Sequence, residues 1–201
     1  MTSNNQRPVG RPREFDEKAV LEAAMDVFWS KGFESASLTE LCRSTGLHKG
    51  SLYQAFGDKH QLFMRALQHY AECEFVEVLA VVSEQATPLE NILAVVHKII
   101  DIAGHDRGCL MINTMVELAP HDSRVREAVL AFGGKRLQAL TGLITEARDA
   151  GQIRPDLEPD RLARHLMMTM AGAATMVKGV IGREQALEVL EDLVHCWTPD
   201  G

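Results

Sequence analysis

Residues 37–59, SLTELCRSTGLHKGSLYQAFGDK, constrain this chain more than any other stretch. They read as two short helices around a tight glycine turn. Ser37 and Glu40 stand at the spacing of a capping box, in which each side chain satisfies a free amide at a helix start. Gly46 supplies the stop, and a second helix follows from about His48 to Ala55, rich in small and polar residues with one tyrosine. This is the layout of a helix-turn-helix. The first helix braces and the N-terminal residues of the second reach base edges in the major groove of DNA.

The surrounding sequence is helical in the same way. Asp16 reads as an N-cap with Phe15 and Val20 at the positions of a hydrophobic staple, and Val20, Ala24, Val27 and Phe28 form an apolar stripe that Gly32 ends. Within the motif, Leu38, Leu41 and Cys42 face inward, as do Leu47, Leu52 and Phe56; a fourth helix starts at Asp58 with Gln61 at N3. Thr87-Pro88-Leu89-Glu90 opens a helix over about 88–103. Further helices are expected at about 109–118, 123–150, 160–180 and 183–197, with Gly133-Gly134 as a kink in the long one. Strand alternation and internal repeats are lacking, so the expected class is all-α with about nine helices.

A net charge of −7, taken over the whole chain, argues against a polyanion as partner. Its distribution removes the objection. Residues 1–60 hold eight Lys or Arg and eight Asp or Glu, so the whole excess sits in residues 61–201, with 13 basic and 20 acidic side chains. The first thirteen residues carry Arg7, Arg11 and Arg13 and no acid. A cationic arm, a neutral head and an acidic body form a polarity that orients a molecule on DNA. Residues 1–14 contain Pro8 and Pro12 with no periodicity and read as a flexible basic arm. No apolar stretch reaches bilayer length and no signal peptide is apparent. Cys42, Cys73, Cys109 and Cys196 are scattered, without the spacing of a zinc site or a disulfide framework, so a reduced, cytoplasmic setting is expected with neither metal nor cofactor.

The DNA-reading residues follow from position. His48, Lys49, Gly50 and Ser51 open the second helix of the motif. Lys49 can reach a phosphate or a guanine, and His48 and Ser51 a base or a phosphate; Gly50 admits close backbone approach. Tyr53 and Gln54 lie off the Leu52/Phe56 face, and the tyrosine can give its hydroxyl to a phosphate. Thr39 and Lys59 each stand in the first turn of a helix, where free amides favour an anion. Taken singly, each is equally an ordinary solvated side chain; the combination at this spacing points to DNA.

These residues carry a resemblance. Ala23-Ala24 and Phe28, Gly32-Phe33, Leu38-Thr39, Gly46-Leu47, Lys49-Gly50-Ser51-Leu52-Tyr53, Phe56 and Lys59 together resemble the N-terminal domain of the TetR family of bacterial transcriptional regulators, over about residues 15–70. The resemblance implies a homodimer on a palindromic double-stranded operator, usually repressing, and released when a small molecule enters the C-terminal domain. It supports phosphate roles for Thr39, Tyr53 and Lys59 and base contacts from the start of the second motif helix. The implied division is an arm at 1–14, a helix-turn-helix domain at 15–58 and an effector-binding and dimerisation domain at 59–201. Gly10-Arg11-Pro12-Arg13 resembles the minor-groove core of an AT-hook, and extended arginines suit that narrow groove; a solvated tail is the other reading.

In the body, Met167, Met168, Met170, Ala171-Gly172-Ala173-Ala174 and Met176 lie on the penultimate helix, and Leu190 and Leu193 on the last. Small residues allow close helix approach and methionines fill irregular gaps. The residue pattern fits a four-helix dimer interface through Met167, Met170, Ala171, Ala174, Leu190 and Leu193 as well as an internal core; the resemblance favours the dimer. Leu93, Val96, Ile100, Met111, Met115, Leu140 and Ile144 are candidate lining of an effector cavity, or plain core. Cys109 follows Arg107-Gly108 at an expected helix start, where the dipole and the arginine favour thiolate; a redox or electrophile sensor and a buried small hydrophobe are both open. His97, His105 and His121 have no metal-site spacing. Two other functions compete: a thiol-dependent enzyme built on Cys109, for which neither a base nor an oxyanion site is evident, and a nonspecific architectural DNA binder, which the acidic body disfavours.

Overall fold

The computed structural model describes residues 15–103 and 107–200. Among these residues it contains nine α-helices and no strand: α1 (Glu17–Lys31), α2 (Leu38–Thr45), α3 (Lys49–Phe56), α4 (Lys59–Leu79), α5 (Pro88–Ala103), α6 (Leu110–Glu117), α7 (Ser123–Asp149), α8 (Pro159–Met176) and α9 (Arg183–His195).

The helix starts follow the local chemistry. Asp16 caps α1, accepting from the Lys18 amide at 3.0 Å and the Ala19 amide at 3.4 Å. Ser37 and Glu40 form the reciprocal box on α2, with the Glu40 amide 3.2 Å from Ser37 Oγ and the Ser37 amide 3.1 Å from Glu40 Oε2. The Lys31 ammonium and Ser37 hold the Glu40 carboxyl down to about 2, and the Lys31–Glu40 pair ties α2 to the end of α1. Gly46 makes the motif's turn in the left-handed region, φ 69°. Thr87 and Glu90 cap the start of α5 reciprocally, and Asp58 and Asp122 cap α4 and α7.

Four details depart from expectation. Phe15 does not only staple α1; its ring lies 6.2 Å from that of Phe56 on α3. The recognition helix α3 starts at Lys49, with His48 as its N-cap. α7 runs unbroken through Gly133-Gly134: packing against α5, α6 and α8 along its length outweighs a glycine penalty of about 1 kcal/mol each. α8 stops at Met176, because Val177 to Ile181 close into turns onto the Ala173, Thr175 and Met176 carbonyls before Gly182 starts α9.

Two apolar clusters organise the chain. The first joins α1, α2, α3 and the N-terminal half of α4 around Phe28, Leu41, Leu52 and Phe63, and continues without a break into Cys109, Leu110, Met111 and Phe132 of the body. The second fills the space among α5, α7, α8 and α9. α4 threads both. The head is therefore packed onto the body through a shared core.

Candidate nucleic-acid interface and ligand cavity

Helices α2 and α4, with Phe15, cover α3 on its Leu52/Phe56 side and leave its other side open. Thr39, His48, Lys49, Gly50, Ser51, Tyr53 and Gln54 are all exposed. His48 makes no side-chain capping bond, and the space beside Gly50 contains no protein atom within 4 Å of where a Cβ would stand. Lys49 Nζ lies 5.7 Å from the Tyr53 ring centroid, so the two share one patch. Lys59 is different: it is half-buried, with Nζ donating to the Glu34 carbonyl at 3.3 Å and lying 4.6 Å above the Phe33 ring. Arg11 and Arg13 lie outside the described residues, as does His105.

The body holds a cavity of about 250 Å³ between α4, α5, α6, α7 and α8. Of the expected lining, Cys109, Met111 and Met115 border it. Val96, Ile100, Leu140 and Ile144 do not, because they are fully enclosed in the second core; Leu93 packs against that core from its edge. Of the expected dimer residues, Met170, Ala174 and Leu190 are buried within the protomer, Met167, Met170, Ala171 and Ala174 border the cavity, and Met167, Ala171 and Leu193 are half-buried. A side chain already enclosed by its own chain has no surface to offer a partner, which leaves Met167, Ala171 and Leu193 of the six. The apolar side chains that α8 and α9 and their connection turn outward are Met168, 74% exposed, Met176, Val180 and Val189.

Cys109 is the N-cap of α6, 6% exposed, and its Sγ accepts from the Tyr70 hydroxyl at 3.5 Å. Burial, then the neighbouring Cys109, push the Tyr70 phenol well up. The arginine expected to favour a thiolate is committed elsewhere: Arg107 pairs with Asp26 at 2.9 Å and lies 4.3 Å over the Trp29 ring. One charged member of the cavity lining was not legible from motifs. It is Glu74, whose Oε1 accepts from Arg136. The signal was present on α4, where Phe63, Leu67, Tyr70, Glu74 and Val78 repeat at three- and four-residue intervals and all are buried. A carboxylate inside such a stripe marks a buried charge with a partner.

α6 fastens the cavity to the head at both ends. Before its start, the Gly108 carbonyl accepts from Trp29 Nε1 at 2.9 Å. At its finish, the Glu117 carboxylate accepts from the Phe33 amide at 3.1 Å and the Glu34 amide at 2.9 Å. Trp29 also meets the Tyr70 ring edge to face at 5.1 Å. The C-terminal end of α1 is thus held by residues that adjoin the cavity wall. His60 and Asp122, 2.5 Å apart, add a tie between α4 and α7.

An exposed recognition helix on a helical head, packed onto a body with an apolar cavity, defines a helix-turn-helix regulator with a ligand-sized chamber. The comparisons agree. Residues 20–66 match the family described as bacterial regulatory proteins, tetR family, and residues 87–192 match the tetracyclin repressor-like C-terminal domain. The chain belongs to the TetR family. It is similar to the HTH-type transcriptional repressor ComR of Escherichia coli, 24% identical over 192 residues that cover 94% of this chain and 91% of ComR. It is also similar to the HTH-type transcriptional repressor DhaR of a Mycobacterium species, 27% identical over 169 residues, 82% of this chain and 83% of DhaR. A cysteine variant of the TetR family regulator CifR, complexed with 26-bp double-stranded operator DNA, superposes with a TM-score of 0.81 at 29% identity, over 93% of this chain and all of that one. Members of this family are DNA-binding transcription regulators, not enzymes, and act as homodimers. The thiol-enzyme and architectural readings find no support. No helix among the described residues is long and apolar enough to cross a membrane, and those residues bring together no group of three or more His, Cys, Asp and Glu able to hold a metal.

Proposed function

We propose that the protein is a cytoplasmic repressor whose dimer reads a palindromic operator with residues 15–58 and leaves it when a small molecule enters the cavity of residues 59–201. The observation that carries this reading is α6, hydrogen-bonded to the head at Gly108 and Glu117 while Met111 and Met115 on the same helix border the cavity. A ligand that displaces α6 pulls on Trp29 and on the backbone of residues 33–34, and so reorients α1 and the motif it braces. His48, Lys49, Gly50, Ser51, Tyr53 and Gln54 contact the operator, with Thr39 on a phosphate. Lys59 gives one of its three N–H donors to the Glu34 carbonyl and has two left for a phosphate. The outward side of α8 and α9, through Met168, Met176 and Val189, supplies the dimer contact.

A second trigger has its own observation: Cys109 sits on the cavity wall next to the carbonyl that holds Trp29. Oxidation or alkylation of its thiol at that place enlarges a buried side chain against Tyr70 and disturbs the same link. The test starts from an operator selected from random DNA. Lys49→Ala and Tyr53→Ala are expected to weaken operator binding at least tenfold each while leaving the fold intact. Undiminished affinity in both removes the proposed interface. A Cys109→Ser protein that still leaves its operator on quinone or peroxide treatment removes the thiol trigger.

A further inference from the structure

The cavity is lined mostly by apolar side chains, with Glu74, Arg136, Tyr70 and Cys109 as its polar members. Its walls are Ile99, Met111, Phe132, Met167 and Met170, and its volume of about 250 Å³ compares with ~150 Å³ for an apolar cavity that accepts benzene. A fused bicyclic ring fits. Glu74 and Arg136 form an ion pair, and both border the cavity. The Glu74 side chain is 3% exposed and that of Arg136 is 15%. Arg136 satisfies Glu74 Oε1, and its guanidinium lies 5.1 Å from the Phe132 ring centroid. Glu74 Oε2 is buried without any hydrogen-bond partner among the described residues. Tyr70, one turn earlier on α4, does not reach it as a donor, since its hydroxyl is given to Cys109 Sγ.

A buried acceptor without a donor is a standing penalty, and a ligand that supplies the donor relieves it. Water is a poor substitute there. A small void of about 20 Å³ also borders Glu74; apart from Glu74 and Arg136 its lining is apolar, with Phe75, Val78 and Leu143, so a water there meets at most two polar side chains, the low end of the two to four it needs. Charge narrows the choice further. Arg136 already balances the Glu74 carboxylate, so a cationic ligand leaves an uncompensated positive charge in an apolar chamber. An anionic one faces the carboxylate directly. Burial pushes the Glu74 carboxyl up and the Arg136 guanidinium opposes that shift, as a paired, enclosed carboxylate requires.

We propose that the cavity takes a compact, neutral, apolar molecule bearing one hydroxyl or N–H donor, which it gives to Glu74 Oε2. The inference rests on the reading of this cavity as the effector site, and it adds the chemical class of the effector. The remaining donors of Arg136 do not alter it, because an acceptor on the ligand leaves Oε2 as it was.

The experiment is a calorimetric titration of the full-length protein with five probes on one ring system: naphthalene, 2-methoxynaphthalene, 2-naphthol, 2-naphthoate and 2-naphthylmethylammonium. 2-Naphthol is expected to bind at least tenfold more tightly than naphthalene or the ether, with both ions weaker still. Glu74→Gln keeps a carbonyl for Arg136 and turns an NH2 toward the ligand, so the order of 2-naphthol and 2-methoxynaphthalene reverses. Should that variant not fold, the ranking on the unaltered protein decides alone. Ala171→Leu fills the chamber and abolishes 2-naphthol binding; if it does not, the probe binds elsewhere and the inference falls. Equal affinity for naphthalene, the ether and 2-naphthol overturns the donor requirement and leaves the cavity as an effector site. Tightest binding by either ion overturns the neutral class. Failure of all five to bind overturns both this inference and the reading beneath it.

Discussion

Glu117→Ala tests the link between cavity and head most directly. The carboxylate ends α6 and accepts two backbone amides, Phe33 at 3.1 Å and Glu34 at 2.9 Å. It lies in a notch that Gly32 opens: a Cβ at residue 32 would stand 2.9 Å from both carboxylate oxygens. Hydrogen bonds to a charged acceptor contribute about 1.5–3 kcal/mol when enclosed. Glu117 is half-exposed and water replaces part of the loss, so about 1 kcal/mol each, or about 2 kcal/mol for the pair, is the working figure. For a chain of this length that lowers the melting temperature by roughly 4–8 °C. Gly32→Ala is expected to cost more, because φ 80° with ψ 168° is a region essentially reserved for glycine, adding about 1–3 kcal/mol of strain to the eviction of the carboxylate. Combined with Glu117→Ala, the eviction no longer counts, so the double variant costs about 2 kcal/mol less than the sum of the singles. Calorimetric unfolding of the four proteins measures this cycle. Melting of Glu117→Ala within 1 °C of the parent, or additivity within about 0.5 kcal/mol, would refute the link. Operator titrations on the same set are expected to show a weakened response to whatever ligand fills the cavity.

Gly50→Ala adds a methyl group into space empty of protein and improves helix propensity, so thermal stability holds or rises by up to about 1 kcal/mol, while operator affinity falls as the Cβ meets the DNA backbone; retention of full affinity argues against close approach at α3. Asp122 accepts from His60 and the amides of Arg124 and Val125, and these hold its carboxyl below the ordinary 3.8. A depressed folded value contributes stability above the unfolded value that is lost as pH falls through the folded one, so Asp122→Asn is expected to be destabilised at pH 6, with the gap to the parent narrowing once pH falls below 3.8, in melts across that range. Among described head residues, Lys18 and Lys31 are ion-paired and Lys59 is bonded to the Glu34 carbonyl, while Arg43 and Lys49 have neither tie; those two allow about four phosphate contacts per dimer and a log–log salt slope near −4. With Arg7, Arg11 and Arg13 of the arm engaged, the slope steepens to about −9. Deletion of residues 1–14 is therefore expected to flatten it, and an unchanged slope marks the arm as a bystander.

The head was readable because its constraints are local. Asp16, Ser37, Glu40 and Gly46 act on amides or dihedral angles within a few residues, and the sequence states their partners outright. Each of the exposed α3 residues follows from Leu52 and Phe56, since one buried pair on a two-turn helix fixes which side is left open. The body resists the same treatment because its meaning depends on which face of a long helix meets which neighbour. Met167, Met170, Ala171 and Ala174 have a composition that suits a subunit interface, a core or a chamber wall alike, and only the position of α7 and α6 against α8 brings them to the chamber wall. The same ambiguity leaves Ile100 and Ile144 open between lining and core in the sequence, and their faces turn into the second core. Glu74 shows the opposite case. A single carboxylate in the buried stripe of α4 is a local anomaly that periodicity exposes, although its partner Arg136 lies 62 residues away and nothing local identifies it. The physics of the two regions also differs in purpose. A capping box has one geometry and one set of residues that satisfy it, whereas an apolar chamber tolerates any side chains of suitable volume. A regulator that keeps its head while changing its ligand needs that separation: strict local chemistry where DNA is read, permissive packing where the ligand enters, and a few hydrogen bonds at Gly108 and Glu117 to carry the strain between them.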